Sequence, residues 1–355
     1  MTQRTLFRIL SLTAVLAVAL AACAPAAAPA PTQAPAQPPA AQATQAPAAP
    51  AAPAATPTVP PPNCTKMDGM PAVKAGDLGS ADKPLVITFV PSGDVKSLTP
   101  ASSAIADCLS KLTGLTYQVE FGTSFGASIE AMGSGHAQFG FLNTFSILIA
   151  QAKYNIVPDL VALRNYKGKA VDFYQGQFIA NNNSGIKSIA DLKGKTFCFV
   201  DPNSTSGYII PRIAMKANGL DPDKDLKATT NAGSHDNVAI AVYKGDCDAG
   251  ATFVDVRTDS AAVKSAYPDI LDKVSAFYLT DNIPNDGLQH VKDLDSKIVD
   301  ATVNALMFMS KDPGGTAFLK KLYSYVGFEK YTAGFYDPFL GLLKKAGVDP
   351  TSLVK

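Results

Sequence analysis

The stretch that most constrains this chain is Asp201-Pro202-Asn203-Ser204-Thr205-Ser206-Gly207-Tyr208, which follows the apolar run Thr196 to Val200 and leads into Ile209 to Ala217. A buried strand that stops at Asp-Pro-Asn and restarts as a helix leaves backbone N–H groups unpartnered at the helix start. Three adjacent hydroxyls stand beside those donors, the positive end of the helix dipole adds attraction, and Gly207 permits close backbone approach. Such a turn suits a tetrahedral oxyanion. A helix cap needs only one hydroxyl, so the residues also read as an ordinary Ser/Thr cap. Pro211 implies either a helix that starts later than Ser204 or one that kinks.

The body around this stretch alternates strand and helix. Leu85 to Val90, Thr116 to Phe121 and Ala137 to Leu142 read as strands; Ala101 to Leu112, Phe125 to Met132 and Phe145 to Lys153 read as helices. A second set begins near Asn181, with a short helical segment at Ile186 to Leu192 and strands at Lys195 to Val200, Leu226 to Asn231, Ala249 to Val254 and Val274 to Leu279. Helix Asn237 to Lys244 lies among them, and Ser296 to Met309, Thr316 to Tyr325 and Tyr336 to Ala346 close the chain as helical segments. Two α/β lobes follow, with mainly parallel sheets and ligand-facing loops at the carboxyl ends of strands. Four strand ends pass into helix starts rich in hydroxyl or amide side chains: Thr123-Ser124, Asn143-Thr144, Ser204-Thr205-Ser206 and Ser234. Converging on one cleft, they would form a cage of hydrogen-bond donors that needs few formal charges.

Residues 1–22 read as an export signal: Arg4 and Arg8 precede the apolar run Ile9 to Leu20, and Leu20-Ala21-Ala22-Cys23 closes it. The pattern resembles bacterial lipoprotein precursors, which implies cleavage before Cys23 and lipidation of that residue; cleavage at a small-residue site without a lipid is the other option. From Ala24 to Pro62 the chain is almost only Ala, Pro, Gln and Thr, so residues 23–65 are expected to be a lipidated Cys plus a disordered tether. A formal charge of +1, with no basic cluster, speaks against nucleic acid as a partner.

Cys64, Cys108, Cys198 and Cys247 are an even number in an exported chain, which favours two disulfides. Three connectivities are possible. Cys64–Cys108 and Cys198–Cys247 are preferred, because the second pair lies on neighbouring elements of one lobe and the first would pin the tether's end to the body. No Cys-x-x-Cys spacing occurs and the histidines are scattered, so neither metal nor cofactor is expected. His-Glu-x-x-His is also missing, and no cluster of carboxylates and histidines is suited to hold metals, which weakens an exported phosphoester hydrolase as a reading.

Lys195 to Arg257 carries three landmarks: Asp201-Pro-Asn-Ser-Thr-Ser-Gly-Tyr, Ala232-Gly-Ser-His-Asp-Asn and Gly245-Asp-Cys-Asp-Ala-Gly-Ala-Thr. With Phe125-Gly-Ala-Ser-Ile-Glu-Ala-Met-Gly-Ser-Gly and Ile283-Pro-Asn-Asp, it resembles the PhnD-type substrate-binding proteins of phosphonate, phosphite and phosphate ABC transporters. The resemblance implies an α/β type II periplasmic-binding fold of two lobes hinged by two crossovers. Residues 66–176 and 280–355 would form lobe 1 and 177–279 lobe 2. It further implies a non-catalytic receptor that captures a phosphorus oxyanion between the lobes and hands it to a permease and its ATPase. The same fold serving another anion or a small organic solute is the first alternative.

Carried over residue by residue, the phospho group would be held by Ser204, Thr205 and Ser206 and reached by His235, whose protonated form the anion would favour. Phe125 stands where the family commonly has a tyrosine. Asn143 and Thr144 replace its usual small and proline residues, with side chains that can themselves donate. Aminophosphonate binders hold the amine with acidic residues, for which Asp255 is the nearest candidate; Arg257 facing the cleft instead would favour simple phosphate or a second anionic group. A monomer is expected.

Overall fold

The computed structural model describes residues 59–350; the export signal, Cys23 and the tether as far as residue 58 lie outside the described residues. Numbered in chain order, the first sheet comprises β1 (Leu85–Phe89), β2 (Tyr117–Phe121), β3 (Phe139–Phe141), β4 (Val157–Tyr166), β5 (Lys169–Val171), β11 (Gly287–His290) and β12 (Tyr325–Lys330). Its order is β12-β4-β11-β3-β1-β2, with β5 paired to β4. The second sheet comprises β6 (Phe173–Asn181), β7 (Thr196–Phe199), β8 (Ala228–Asn231), β9 (Ala249–Phe253) and β10 (Val274–Pro284), in the order β10-β6-β9-β7-β8.

The helices are α1 (Val95–Thr113), α2 (Phe125–Gly133), α3 (Thr144–Tyr154), α4 (Ile210–Ala217), α5 (His235–Lys244), α6 (Val256–Asp259), α7 (Ala261–Ala266), α8 (Ile270–Lys273), α9 (Ser296–Met309), α10 (Pro313–Tyr323) and α11 (Asp337–Lys345). Three apolar clusters hold them. Leu85, Ile87 and Phe89 face α1, α9 and α10 on one side of the first sheet. Phe178, Phe197 and Phe199 cover one side of the second sheet with Met215 of α4. A third cluster runs through both sheets' other faces, from Phe125, Ile129 and Phe145 to Val200, Val238 and Val256.

The expectation of mainly parallel sheets is corrected. Parallel pairing is found for β1 with β2 and β3, and for β7 with β8 and β9. In contrast, β4, β5, β6, β10, β11 and β12 pair antiparallel. The parallel strands are joined through helices, whereas β4, β5 and β6 follow one another through short turns, which only antiparallel or sheet-switching connections allow. Likewise the expected helix Thr316 to Tyr325 stops earlier: Ser324 adopts φ 59°, left-handed backbone that ends α10 and lets β12 begin.

The chain passes from one sheet to the other at Asp172, between β5 and β6, and returns at Asn285-Asp286, between β10 and β11. Asn285 ties the two passages together, its N–H donating to the Asp172 carbonyl at 2.7 Å and its side-chain amide to the carbonyls of Ala162 and Val171 at 2.8 and 3.1 Å. Disulfides join Cys64 to Cys108 and Cys198 to Cys247, with Cα atoms 5.2 and 5.9 Å apart. Pro60 to Pro62 lie so close over Gly314 of α10 that no side chain fits at that position, so packing of the Ala/Pro segment onto the body begins by Pro60.

Candidate functional site

β7 delivers the chain to Val200, and Asp201 turns it by accepting the Asn203 N–H at 2.8 Å on its own carboxylate. Ser204 Oγ then accepts the Gly207 N–H at 3.2 Å, and its carbonyl accepts from Tyr208 and Ile209 at 3.1 and 3.0 Å, giving the wide turn Thr205–Ile209 before α4. Pro211 falls in the first turn of α4, where its missing N–H costs nothing, so of the two options left by the sequence the helix starts late. Gly207 is required by contact: a Cβ there would overlap the Val200 side chain, against which the backbone doubles back. Ser204, Thr205 and Ser206 are 1%, 1% and 2% exposed.

These residues meet the other lobe directly. Thr205 Oγ1 accepts from Phe145 N–H at 2.9 Å and from Asn143 Nδ2 at 2.8 Å, so a second-lobe oxygen occupies the amino end of α3. The pattern repeats at two more first-lobe helices. Asp236 accepts the Asp94 N–H at the start of α1 at 2.9 Å, and the Asp201 carboxylate takes the Phe125 N–H at the start of α2. Three helix starts, each with positive partial charge, are thus met by oxygens of the facing lobe. Burial raises both carboxylates above their ordinary range, and the N–H groups they accept pull them back down.

His235 follows the cap residue Ser234, whose Oγ accepts the Asn237 N–H at 3.2 Å, and is 3% exposed. Its own N–H donates to the Ser92 carbonyl of the first lobe at 2.9 Å. Nδ1 accepts the Phe253 N–H at 3.2 Å, which leaves the proton on Nε2 and makes that atom the donor. Burial, assisted by the charge of Arg164, depresses the imidazole to about 3, so the ring is neutral in this fold.

The remaining expected residues are placed as follows. Asn143 gives its amide to Asn203 O at 2.9 Å as well as to Thr205. Thr144 donates its hydroxyl to the Pro284 carbonyl at 2.8 Å, fastening α3 to the second crossover. The Phe125 side chain is in the core, and its backbone N–H is what reaches the site. Burial would raise Asp255, yet Arg257, at 2.6 and 2.9 Å, and Gln177 Nε2, at 2.8 Å, hold it below its usual range. Asp255 and Arg257 therefore face each other.

Sequence reasoning missed the floor. The Arg164 guanidinium lies 4.8 Å from the ring centres of both Tyr174 and Tyr325, pairs with Asp286 at 3.0 Å, and also donates to Asn285 Oδ1. Burial alone would lower Arg164; the Asp286 charge outweighs it and raises the guanidinium further. The Tyr174 hydroxyl reaches the hydroxyls of Ser206 and Thr205, and burial pushes it up to about 12, keeping it a neutral donor. Tyr325 donates to Asp286 at 3.0 Å. Ile283-Pro-Asn-Asp was the only signal pointing here, since it contains Asn285 and Asp286.

Two α/β lobes joined by two crossovers, with donors gathered between them, define a two-lobed solute-binding protein. The chain belongs to the family described as ABC transporter, phosphonate, periplasmic substrate-binding protein, which matches residues 87–336. It is 26% identical over 185 residues to the "Phosphate-import protein PhnD" of Mycolicibacterium smegmatis, a match covering 50% of this chain and 57% of that one. It is 25% identical over 251 residues to the "Phosphonates-binding periplasmic protein" of Escherichia coli, covering 68% and 70% of the two chains. A Prochlorococcus marinus PhnD solved in complex with methylphosphonate superposes with TM-score 0.65 at 18% identity, covering 74% of this chain and 98% of that one. The fold is that of type II periplasmic-binding proteins.

Proposed function

We propose that this chain is the capture subunit of an ABC importer for a phosphorus oxyanion, a phosphonate, phosphite or phosphate, held by Thr205, Ser206, Ser204, His235 and Tyr174 and by the amino end of α3 with Asn143. The observation that carries this is the meeting of neutral donors from both lobes: the Ser206 and Tyr174 hydroxyls and the amino end of α3 lie around Thr205. An oxyanion accepts from every one of them, and none has to lose a proton to donate. The names of the matched relatives point to the same ligands. The receptor performs no turnover, works with a membrane permease and its ATPase, is a monomer, and is tethered to the outer face of the membrane by lipid on Cys23.

Thr205→Ala with Ser206→Ala is expected to weaken binding of inorganic phosphate or methylphosphonate, whichever the wild type binds more tightly, by roughly a hundredfold, read by calorimetry. The unliganded melting temperature serves as the control for folding. Unchanged affinity in a folded double variant would remove this site. Mass spectrometry of the mature chain from membranes tests the lipid on Cys23.

A further inference from the structure

Asp236 is a buried carboxylate that the proposed grip leaves without a task. It is the second residue of α5, 4% exposed, and the helix does not need it as a cap, because Ser234 already accepts the Asn237 N–H. Its two partners lie outside the oxyanion donors: the Ser260 hydroxyl of its own lobe, and the Asp94 N–H of the first lobe at 2.9 Å. Among the described residues no lysine or arginine pairs with it. The like charge of Asp94 faces it across the gap and burial adds to the cost of its ionised form, so what holds Asp236 there is the N–H at the start of the 19-residue α1, together with the Ser260 hydroxyl.

One residue earlier the contact runs the other way, His235 N–H donating to the Ser92 carbonyl at 2.9 Å. Residues 92–94 and 235–236 thus exchange two hydrogen bonds between the lobes, with Gly93 lying against the carboxylate. A Cβ at Gly93 would stand 3.4 Å from Asp236 Oδ2 and 3.5 Å from the Leu98 side chain, so a side chain extending further is wedged between the lobes.

We propose that Asp236 is a closure residue, which sets ligand affinity by fastening the lobes together through Asp94 without touching the ligand. This rests on the oxyanion reading above and adds to it what holds the lobes shut on the anion. When a cleft closes after the ligand has entered, the closing equilibrium multiplies the affinity, so weaker closure weakens every ligand by one common factor and speeds release rather than capture. A residue that touches the ligand changes different ligands by different factors.

Calorimetry and stopped-flow binding of inorganic phosphate and methylphosphonate to Asp236→Ala test this. Affinity for both is expected to fall about tenfold, by factors that agree within about threefold, with faster dissociation and with association within about threefold of the wild type. Where the wild type binds only one of the two, the split between association and dissociation decides. Asp236→Asn keeps an oxygen for the Asp94 N–H and is expected to stay within about threefold of the wild type. Gly93→Val wedges the same gap from the first lobe and leaves α5 intact, so it is expected to reproduce the loss even if Asp236→Ala fails to fold. Unchanged affinity in either folded variant overturns the inference, as does a loss confined to one ligand or carried by slower association; the oxyanion site stands in each case. An asparagine variant as weak as the alanine one overturns the Asp94 contact as the cause. A wild type that binds neither ligand sinks the oxyanion reading and this inference together.

Discussion

The turns that follow β3 and β7 and the two crossovers that join the sheets face the same cleft and are built on opposite principles. The turns use neutral hydroxyls, amides and backbone N–H groups; Ser204 is placed by the local rule of helix capping, while Asn143 makes no cap bond and gives its amide to Asn203 and Thr205. At the crossovers the principle is a buried charge, Arg164, secured by residues far away in sequence: Asp286 and Asn285 lie 122 and 121 positions on. Neutral donors grip an anion without titrating, whereas a paired charge fixes the geometry of a hinge because breaking it costs so much. On the proposed reading, capture and alignment are divided between two kinds of chemistry.

The harshest way to break that division is to remove the floor's charge. Arg164→Met leaves Asp286 buried with only Tyr325 as partner, and stability in urea is expected to fall by roughly 3–5 kcal/mol. Adding Asp286→Asn should return most of that loss. If Arg164→Met alone cost under about 1 kcal/mol, the crossover would not be held by charge.

His235 sharpens the contrast, being a titratable group used as a neutral one. Its folded value of about 3 lies below the ordinary value of 6.5, so its contribution to stability is complete above the ordinary value and is lost as pH falls toward the folded one. The slope reaches at most about 1.4 kcal/mol per pH unit, which over two units amounts to roughly 2–3 kcal/mol. His235→Asn keeps an acceptor for the Phe253 N–H and should flatten that slope in urea melts taken between pH 4 and about 6.5. Equal slopes in the two proteins would mean the imidazole is charged in the fold. Next in size is Gly207→Ala, which forces a methyl into Val200 and is expected to cost about 1–3 kcal/mol and to loosen the 204–206 turn, seen as a lower melting temperature with weaker phosphate binding.

The same division decides what could be read from the amino-acid sequence. Strands β1, β2, β3, β7 and β9 and the helices behind them show in their apolar runs and caps, because capping and periodicity are local. Residues 157–181 gave no such signal. β4 runs exposed, buried, half-buried and then fully buried, without the alternation of a strand that has one wet face, because it sits between β11 and β12 and carries β5 on its end. Tyr174 and Arg164 therefore went unread, although they stand beside Ser206 and Asp286 in space. The burial of His235 went unread for a related reason. Its neighbour Arg164 and its depth in the fold are tertiary facts that the Gly-Ser-His-Asp motif does not carry.

Thr144 is where the two regions touch, and it gives the smallest and most discriminating test. As a turn residue it is placed to donate to a ligand; in the fold its hydroxyl proton goes to the Pro284 carbonyl, one residue before the second crossover. A hydroxyl has one proton, so while that bond is kept Thr144 can offer an anion nothing but lone pairs, which repel it. Thr144→Val conserves shape and deletes the bond, and a stability loss of about 1 kcal/mol is expected with phosphate affinity changed by less than about threefold. A tenfold or larger loss of affinity at unchanged stability would mean that the hydroxyl swings to the ligand when the cleft closes on it, and would place Thr144 with the grip rather than with the hinge.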